Sequence, residues 1–249
     1  MIAQALAGEG FAVSLAARTR SELEETAAEI EAGGGRTLVR PADATRREQV
    51  EALVGETEEA LGPIELLVSN AGSARALGPA WEVEPDAWWA DVETNLRSAF
   101  LCAHAVLPRM ISRGHGRVLH VSSYVAARPS PYLSAYAAAK AAIVSFSEGL
   151  AAAAEPHGVR VFTITPGLFR SALVDHLMSS VEGRRWLPEV GEGRWVEPEQ
   201  VARLVTFLAS GAGDALAGRF LHALDDVQDL MRRADEIAEE DLFTVRLRR

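Results

Sequence analysis

The chain alternates short apolar segments with segments of helical period, and this alternation limits the folds that it can adopt. Helical patterns separate the apolar segments, and the longest of them cover 85–114 and 134–158. Strands that are apolar throughout and joined through helices are typical of parallel sheets covered by helices on both faces. The sequence therefore predicts a doubly wound α/β fold, with strand-like segments at 11–17, 36–43, 64–69 and 117–123, a strand and turn at 159–167, and a last strand at 218–224.

Length and charge narrow the functional classes. A chain of 249 residues, 48% of them hydrophobic, suits one globular domain over 1–249. The formal net charge of −10 argues against nucleic acid or an anionic membrane as the main partner. A single cysteine, Cys102, excludes an internal disulfide and a cysteine-based zinc cluster, and no histidine pair has metal-ligand spacing. We find neither a signal peptide nor an apolar run of about 18 residues, so the expected location is the cytoplasm.

Two segments fall outside the alternation. Residues 170–197 contain scattered glycines and two tryptophans, which predicts an irregular lid over a binding site. The apolar side chains in this lid indicate a substrate that is at least part-apolar. Residues 225–249 form a C-terminal extension, for which we predict a helix over 227–240, capped by Asp225 or Asp226, and then a short strand or tail.

Polar side chains follow the buried strands at their carboxyl ends. Asn70 follows one strand, Ser122 and Ser123 follow the next, and Pro166–Gly167 follow a third. Because ligands of doubly wound sheets bind outside these carboxyl ends, the residues there are candidates for a binding site.

Tyr136 and Lys140 lie on the helix after Ser123, four residues apart and therefore on one helical face. A lysine ammonium beside a tyrosine favours the phenolate and is expected to lower the phenol pKa from about 10. Such a tyrosine can donate and recover a proton near neutral pH, while a serine hydroxyl holds a carbonyl oxygen. Together these groups suit the reduction of a ketone or the oxidation of an alcohol with a nicotinamide.

Over roughly residues 1–222, these motifs resemble the short-chain dehydrogenase/reductase family, which has a Rossmann-type fold. The resemblance is carried by IELLVSNAG, WWADVETNLRSAFLCAHAVLPRM, GRVLHVSSYVA, YAAAK, TPGLFRSAL and PEQVARLVTFLAS. In this family the serine precedes the tyrosine by thirteen positions, which selects Ser123 over Ser122. The resemblance implies an NAD(P)(H)-dependent oxidoreductase acting on a small carbonyl or alcohol. The apolar face of the predicted helix at 227–240 motivates the further expectation of a homodimer or homotetramer.

Residue roles follow from the same resemblance. Tyr136 would be the acid/base, and Lys140 would lower its pKa and bind the nicotinamide ribose. Ser123 would orient the substrate oxygen, and Asn95 would hold a water that links Lys140 to solvent. Asp43 would contact the adenine, and the adenosine ribose would be lined by Asn70, Ala71 and Gly72. The nicotinamide would be held by Pro166, Gly167, Phe169 and Ser171.

The end of FAVSLAAR predicts the choice of cofactor. An acidic residue at the end of this strand would bind the ribose 2′-hydroxyl of NAD, but Ala17 stands there and Arg18 follows. Because a guanidinium suits a phosphate, we expect NADP(H) to be preferred over NAD(H). The alternative is that Arg18 only stacks on adenine or faces solvent.

The beginning of the chain departs from the family pattern. MIAQALAGEGFAVSLAAR matches only the part after the family's first strand and its glycine-rich turn, so the sequence predicts an N-terminally truncated fold. The missing strand would lie between the strands at 11–17 and 64–69 and would leave two unpaired edges. We therefore expect the chain to be unstable or to bind NADP(H) poorly unless an upstream segment is restored. The alternative function is a non-catalytic or cofactor-defective homologue that serves as a binding module or subunit.

Overall fold

A computed structural model describes residues 1–246 of the chain. All strand pairs are parallel, and the strands form one sheet in the order β1-β2 and another in the order β3-β4-β5-β6. The strand bounds are β1 (Val13–Leu15), β2 (Thr37–Val39), β3 (Leu66–Ser69), β4 (Gly116–Val121), β5 (Val159–Thr165) and β6 (Phe220–His222). The predicted parallel α/β fold is confirmed.

Helices connect the strands and cover both faces of the four-stranded sheet. Alternate residues of β4 point to opposite layers: Leu119 and Val121 pack with α1 and α9, while Val118 packs with α3, α5 and α6. The helix bounds are α1 (Ile2–Gly8), α2 (Arg20–Ala32), α3 (Arg47–Leu61), α4 (Pro85–Val92), α5 (Ser98–Arg113), α6 (Ser134–Ala154), α7 (Ala172–Ser179), α8 (Val181–Trp186), α9 (Pro198–Ala209), α10 (Val227–Arg232) and α11 (Ala234–Glu239).

The two sheets are separate ladders. Within residues 1–246, β1 pairs with β2 and β3 pairs with β4, and no ladder joins β1 to β3. The four β3 residues are all half-buried, whereas β4 and β5 are almost entirely buried. In the described residues, the strands thus form one two-stranded and one four-stranded ladder.

The predicted long helix at 85–114 is interrupted. Residues Glu93–Arg97 form a π-helical turn between α4 and α5, so the helix gains an extra residue at this turn. Single π turns inside α-helices are frequent at functional sites. Hydrophobic periodicity does not reveal such a turn, which is why the sequence predicts an unbroken helix.

The predicted irregular lid at 170–197 contains two short helices, α7 and α8. The side chains of Ser171 and Ser180 accept hydrogen bonds from backbone N–H groups in the first turns of these helices. Leu168 and Trp195 form an isolated parallel bridge that holds the two ends of the segment together. Local serine caps thus give helical structure to a segment that lacks a long apolar period.

The predicted C-terminal helix over 227–240 breaks into α10 and α11 at Arg233. Of the two predicted caps, Asp226 is the one that accepts hydrogen bonds from the first turn of α10. Leu230 and Ile237 are only 2% and 1% exposed, because the apolar face of this segment packs against the core of the same chain. That face is therefore covered within one chain. Of the predicted final strand or tail, residues 247–249 lie outside the described part.

The core helix α6 and its short extension, Ser134–His157, are long and apolar enough to span a membrane by length and composition alone. This segment is not an unbroken apolar run, since it contains Lys140 and Glu148. The structure packs α6 against β5 and buries two polar side chains, Lys140 and Ser147, on its inner face. Both features are those of a core helix.

Candidate active site

Tyr136 and Lys140 lie one turn apart on α6, which follows β4 and packs against the sheet. The Lys140 Nζ atom lies 5.4 Å from the centre of the Tyr136 ring. Ser123 lies two residues beyond the end of β4, where its side chain can form a hydrogen bond with the Tyr136 hydroxyl. The structure therefore brings together the serine, tyrosine and lysine that the sequence predicts.

Lys140 is buried, with 3% of its surface exposed. Its Nζ donates a hydrogen bond to the Val121 carbonyl over 2.8 Å, and the Ser122 hydroxyl donates to the Lys140 carbonyl over 2.9 Å. Burial lowers the pKa of the ammonium to about 8. A lysine with this pKa can release and regain a proton near neutral pH.

The phenol of Tyr136 departs from the sequence-based expectation. Burial raises its pKa, and the hydrogen bond with Ser123 lowers it by less. The Lys140 ammonium lies beside the aromatic ring and donates to a backbone carbonyl, so it does not offset the loss of solvation. The expected lowering of the Tyr136 pKa by Lys140 is therefore wrong.

Asn95 is fully buried in the π-helical turn. Its Nδ2 donates to the Ser73 carbonyl over 2.7 Å and to the Asp91 carbonyl over 2.8 Å. The Oδ1 atom of Asn95 is buried and has no hydrogen-bond partner among the described residues. Because buried oxygens are nearly always paired, this atom marks a position where a water or ligand group can donate.

Gly72 lies between Asn95 and Lys140. A Cβ atom on Gly72 would lie 3.1 Å from Asn95 Oδ1 and 3.7 Å from Lys140 Nζ. Because Gly72 has no side chain, the space next to Asn95 Oδ1 and Lys140 Nζ stays open. Asn95 Oδ1 is an unpaired acceptor there, and the Lys140 ammonium has unused N–H donors. Asn70, Ala71 and Gly72 are all exposed, so this stretch is accessible to a ligand. The Asn95 oxygen and the Lys140 ammonium fit a ribose, whose hydroxyls can both donate and accept hydrogen bonds.

Asp91 supports the site and was missed by the sequence reasoning. Its buried carboxylate accepts hydrogen bonds from the backbone N–H groups of Arg75 and Ala76 over 2.7 and 2.8 Å, and from the Ser73 hydroxyl. It thereby holds the loop after Gly72 against the turn that carries Asn95. The spacing Asp91–Asn95, one helical turn, is the sequence signal that could have indicated it.

The segment after β5 has a constrained backbone. Gly167 has φ +74°, and a Cβ there would lie 2.6 Å from Val196 and 3.1 Å from the His222 ring, so only glycine fits. Phe169 packs against the apolar core. The Ser171 hydroxyl accepts a hydrogen bond from the Val174 N–H over 3.3 Å and thereby caps the N-terminus of α7. Pro166 is half-buried beside Gly167.

Arg18 and Asp43 lie just beyond the ends of β1 and β2. The Thr45 hydroxyl and N–H donate to Asp43 Oδ1 over 2.7 and 2.9 Å, and these bonds are the main cause of the lowered Asp43 pKa. The Arg18 charge lowers the Asp43 pKa further. Arg18 is exposed, and it has no ion-pair partner within 4.0 Å in residues 1–246.

A second pair that sequence reasoning missed joins β4 to α6. The Ser147 hydroxyl donates to the Ile143 carbonyl over 2.6 Å and lies 2.8 Å from His120 Nδ1. Since that hydroxyl proton is already used, Nδ1 must carry the imidazole proton and donate to Ser147. Burial, and secondarily the Lys140 charge, lowers the pKa of His120 to about 4. His120 is therefore neutral at physiological pH, and its contact with Ser147 joins β4 to α6.

The lid segment covers Tyr136 on one side. Leu133 and Leu177 are buried in an apolar cluster, with Tyr136, Leu173 and Trp186 packed against it. The side of the site next to the lid is therefore apolar. In the described part of the chain, no group of three or more His, Cys, Asp or Glu side chains is arranged to hold a metal ion.

Comparison with known proteins gives consistent matches. The family described as short chain dehydrogenase matches residues 1–182. A short chain dehydrogenase of Pseudocercospora fijiensis is 34% identical over 262 residues, covering 99% of this chain and 84% of that protein. The 2-dehydro-3-deoxy-L-rhamnonate dehydrogenase (NAD(+)) of a Sphingomonas species is 32% identical over 210 residues, covering 84% and 82% of the two chains.

Solved structures have the same fold. A gluconate 5-dehydrogenase from Burkholderia cenocepacia, in complex with NADP and tartrate, is 31% identical. Its superposition has a TM-score of 0.79 and covers 89% of this chain and 87% of that one.

Proposed function

The chain belongs to the short-chain dehydrogenase/reductase family, and on this premise we propose that Tyr136 is its acid/base, assisted by Ser123, Lys140 and Asn95. The protein is an NAD(P)-dependent oxidoreductase that interconverts a carbonyl compound and an alcohol. Its named relatives do not favour the alternative of a non-catalytic binding module.

The observation that carries the assignment is the convergence of an ammonium, a phenol and an unpaired amide oxygen at one opening. Lys140 lies beside Tyr136, and both Lys140 Nζ and Asn95 Oδ1 lie within 4 Å of the space above Gly72. A bound nicotinamide supplies or accepts the hydride in this chemistry. The residues of the chain then have to hold the oxygen of the substrate and move one proton.

In the direction of reduction, the Tyr136 hydroxyl donates its proton to the carbonyl oxygen as hydride adds to the carbonyl carbon. Ser123 donates a hydrogen bond to the same oxygen and keeps it next to Tyr136. The resulting phenolate recovers a proton through Lys140, whose pKa of about 8 suits this role. Asn95 Oδ1 accepts a hydrogen bond from a water that links Lys140 to solvent. Oxidation of the alcohol follows the same path in reverse.

The proposed cofactor preference rests on Arg18. We propose that the exposed Arg18 guanidinium binds the 2′-phosphate of NADP(H) and that Asp43 contacts the adenine. Asn70, Ala71 and Gly72 would line the adenosine ribose, while Pro166, Gly167, Phe169 and Ser171 would hold the nicotinamide end. NADP is bound in the solved gluconate 5-dehydrogenase, whereas another relative is named for NAD(+). The charge of Arg18 is what favours NADP(H) here.

The family acts on small molecules, and the apolar lid wall beside Tyr136 supports a part-apolar substrate. We propose that residues 170–197 close over it. Gluconate and a deoxy-rhamnonate, for which two relatives are named, are carboxylates. A homodimer or homotetramer and a cytoplasmic location remain predictions of the sequence.

Transfer of a labelled hydride tests the proposed function. The protein is incubated with NADPH deuterated at nicotinamide C4 and with a panel of aldehydes and ketones, and the products are analysed by mass spectrometry. We expect an alcohol that carries deuterium on the carbinol carbon. A protein that binds NADPH but reduces no carbonyl and oxidises no alcohol would instead support the non-catalytic alternative.

A further inference from the structure

Trp186 is the last residue of α8, and its indole lies against the body of the protein, meaning the residues outside the lid. Its ring centre lies 5.0 Å from that of Tyr132, with an angle of 33° between the ring planes. A Cβ atom on Gly78 would lie 3.3 Å from Trp186 Nε1 and 3.6 Å from its Cε2, and Gly78 has φ +132°. Glycine thus leaves the space that the indole fills.

The surface that receives Trp186 is joined to the helix of the proposed acid/base. The Gly78 N–H donates a hydrogen bond to the Tyr132 carbonyl over 3.0 Å. The next residue, Leu133, is buried and directly precedes α6, and its carbonyl accepts a hydrogen bond from the Ala137 N–H over 2.8 Å. The position of this surface is therefore fixed relative to Tyr136.

The two lid helices are held to each other. Gly183 of α8 is buried, and a Cβ atom there would overlap the Leu177 carbonyl oxygen at the end of α7, so only glycine fits. The hydroxyl of Ser180, between the helices, accepts a hydrogen bond from the Gly183 N–H over 3.0 Å. A contact that holds α8 in place therefore holds α7 as well.

The lid is also closed at its base. The Val196 N–H donates to the Leu168 carbonyl over 2.8 Å, next to the bridge between Leu168 and Trp195. Val196 is only 3% exposed and belongs to the main core. The helices between these anchored ends can therefore leave the body without moving the ends.

Docking of the lid decides whether the apolar wall is present. Leu173 and Leu177 belong to α7, and they lie in the apolar cluster that Tyr136 contacts. With eight and six residues, α7 and α8 are too short to be stable helices on their own in water. They keep their structure, and the wall its shape, only while they are docked.

We propose that Trp186 latches the lid to Tyr132 and Gly78 before substrate binds, so that the apolar wall beside Tyr136 is preformed. Trp186 is thus a positioning residue, which acts on the site only through α7 and α8. This inference rests on the proposed function, because it concerns how the site of that reaction is completed. A lid that is docked for only a fraction of the time weakens substrate binding by that fraction.

Hydrogen exchange followed by mass spectrometry tests the latch in the full chain without ligands. Since undocked helices of this length unfold, exchange in α7 and α8 reports undocking. Trp186→Ala and Tyr132→Ala should each speed this exchange by about tenfold or more, because an aromatic pair and its buried area are lost. Trp186→Phe keeps a ring and should speed it by less than about threefold. Trp81→Ala, at a position that is 85% exposed, is the matched control and should change nothing.

The double variant of Trp186→Ala and Tyr132→Ala should exchange about as fast as the single variants, since each of these already removes the shared contact. Exchange in β4 and β5 is the internal reference and should stay the same in all variants. An equal rise in β4, β5 and the lid would indicate general destabilisation and overturn the latch. Exchange in the wild-type lid as fast as in Trp186→Ala would overturn it too.

Steady-state kinetics with NADPH and a carbonyl compound that the wild type reduces test the positioning role. Trp186→Ala should raise KM for the carbonyl compound by about tenfold and change kcat by less than about twofold, since saturating substrate restores the docked lid. Trp186→Phe should restore most of the KM. An unchanged KM in a variant whose lid exchanges faster would overturn the role. If no carbonyl compound is reduced, the proposed function fails, while exchange in α7 and α8 still decides the latch.

Discussion

The Lys140 ammonium lies beside the Tyr136 ring, 5.4 Å from its centre, and donates its only described hydrogen bond to the Val121 carbonyl. Burial disfavours the charged form of Lys140 and therefore lowers its pKa from 10.5 to about 8. Several consequences for stability and activity follow from it and from the neighbouring buried groups.

The stability of the protein should increase between pH 8 and pH 10.5. In this range the unfolded chain keeps the Lys140 proton, whereas the folded chain has released it, so the free energy of unfolding rises with pH. The rise should amount to about 3 kcal/mol from this group. Urea unfolding at pH 7.5 and pH 10 measures it, and Lys140→Met should remove most of the rise. An equal rise in this variant would contradict the buried ammonium.

The buried imidazole of His120 should make the protein less stable at acidic pH. Its pKa is lowered from 6.5 to about 4, so as the pH falls below 6.5 the unfolded chain takes up a proton that the folded chain does not. Stability that is present above pH 6.5 is therefore lost towards pH 4, by about 3 kcal/mol. His120→Asn should lose less stability than the wild type between pH 7 and pH 4.5. His157→Asn, at an exposed position, should behave like the wild type.

The parallel α/β fold could be predicted from the sequence for a physical reason, and the same reason places several candidate site residues at one edge of the sheet. Buried parallel strands are continuously apolar, and the residues that follow them, such as Asn70 and Ser123, have to lie at one edge of the sheet. The helical spacing of Tyr136 and Lys140 likewise fixes their shared face.

Other features depend on tertiary packing and could not be read from local patterns. The π turn around Asn95 leaves the apolar period almost unchanged, and the bonds of Asp91 to the loop at 73–76 depend on how that loop folds back. The raised pKa of Tyr136 reflects burial, which the charge of a neighbouring lysine in the sequence does not reveal. The apolar side chains of α10 and α11 suggested an oligomer surface, but they pack on the core of the same chain.

Asp91→Ala should destabilise the protein and impair cofactor binding together. The substitution leaves the part-buried N–H of Arg75 and the buried N–H of Ala76 without an acceptor, which should cost about 2 kcal/mol. The loop next to Gly72 should then become less ordered, so NADPH should bind more weakly. Urea unfolding and fluorescence titration measure the two effects. Asp86→Ala, at an exposed position in the first turn of α4, should cost less than about 1 kcal/mol.

Arg18→Gln tests the proposed preference for NADP(H). Loss of the guanidinium should weaken NADPH binding by about tenfold or more, since a charge-assisted contact to the 2′-phosphate is lost, and should leave NADH binding nearly unchanged. Arg20→Gln is the control, because Arg20 is exposed and pairs with Glu24. Fluorescence titration gives both dissociation constants. Tighter binding of NADH than of NADPH by the wild type would contradict the preference.

The most direct test of the account is the rate of NADPH consumption by the wild type and by Tyr136→Phe with a carbonyl substrate that the wild type reduces. The variant lacks only the hydroxyl that donates the proton, so kcat should fall by about a hundredfold to ten-thousandfold while the NADPH dissociation constant stays within about twofold. Retention of wild-type kcat by Tyr136→Phe would contradict the assignment of Tyr136 as the acid/base.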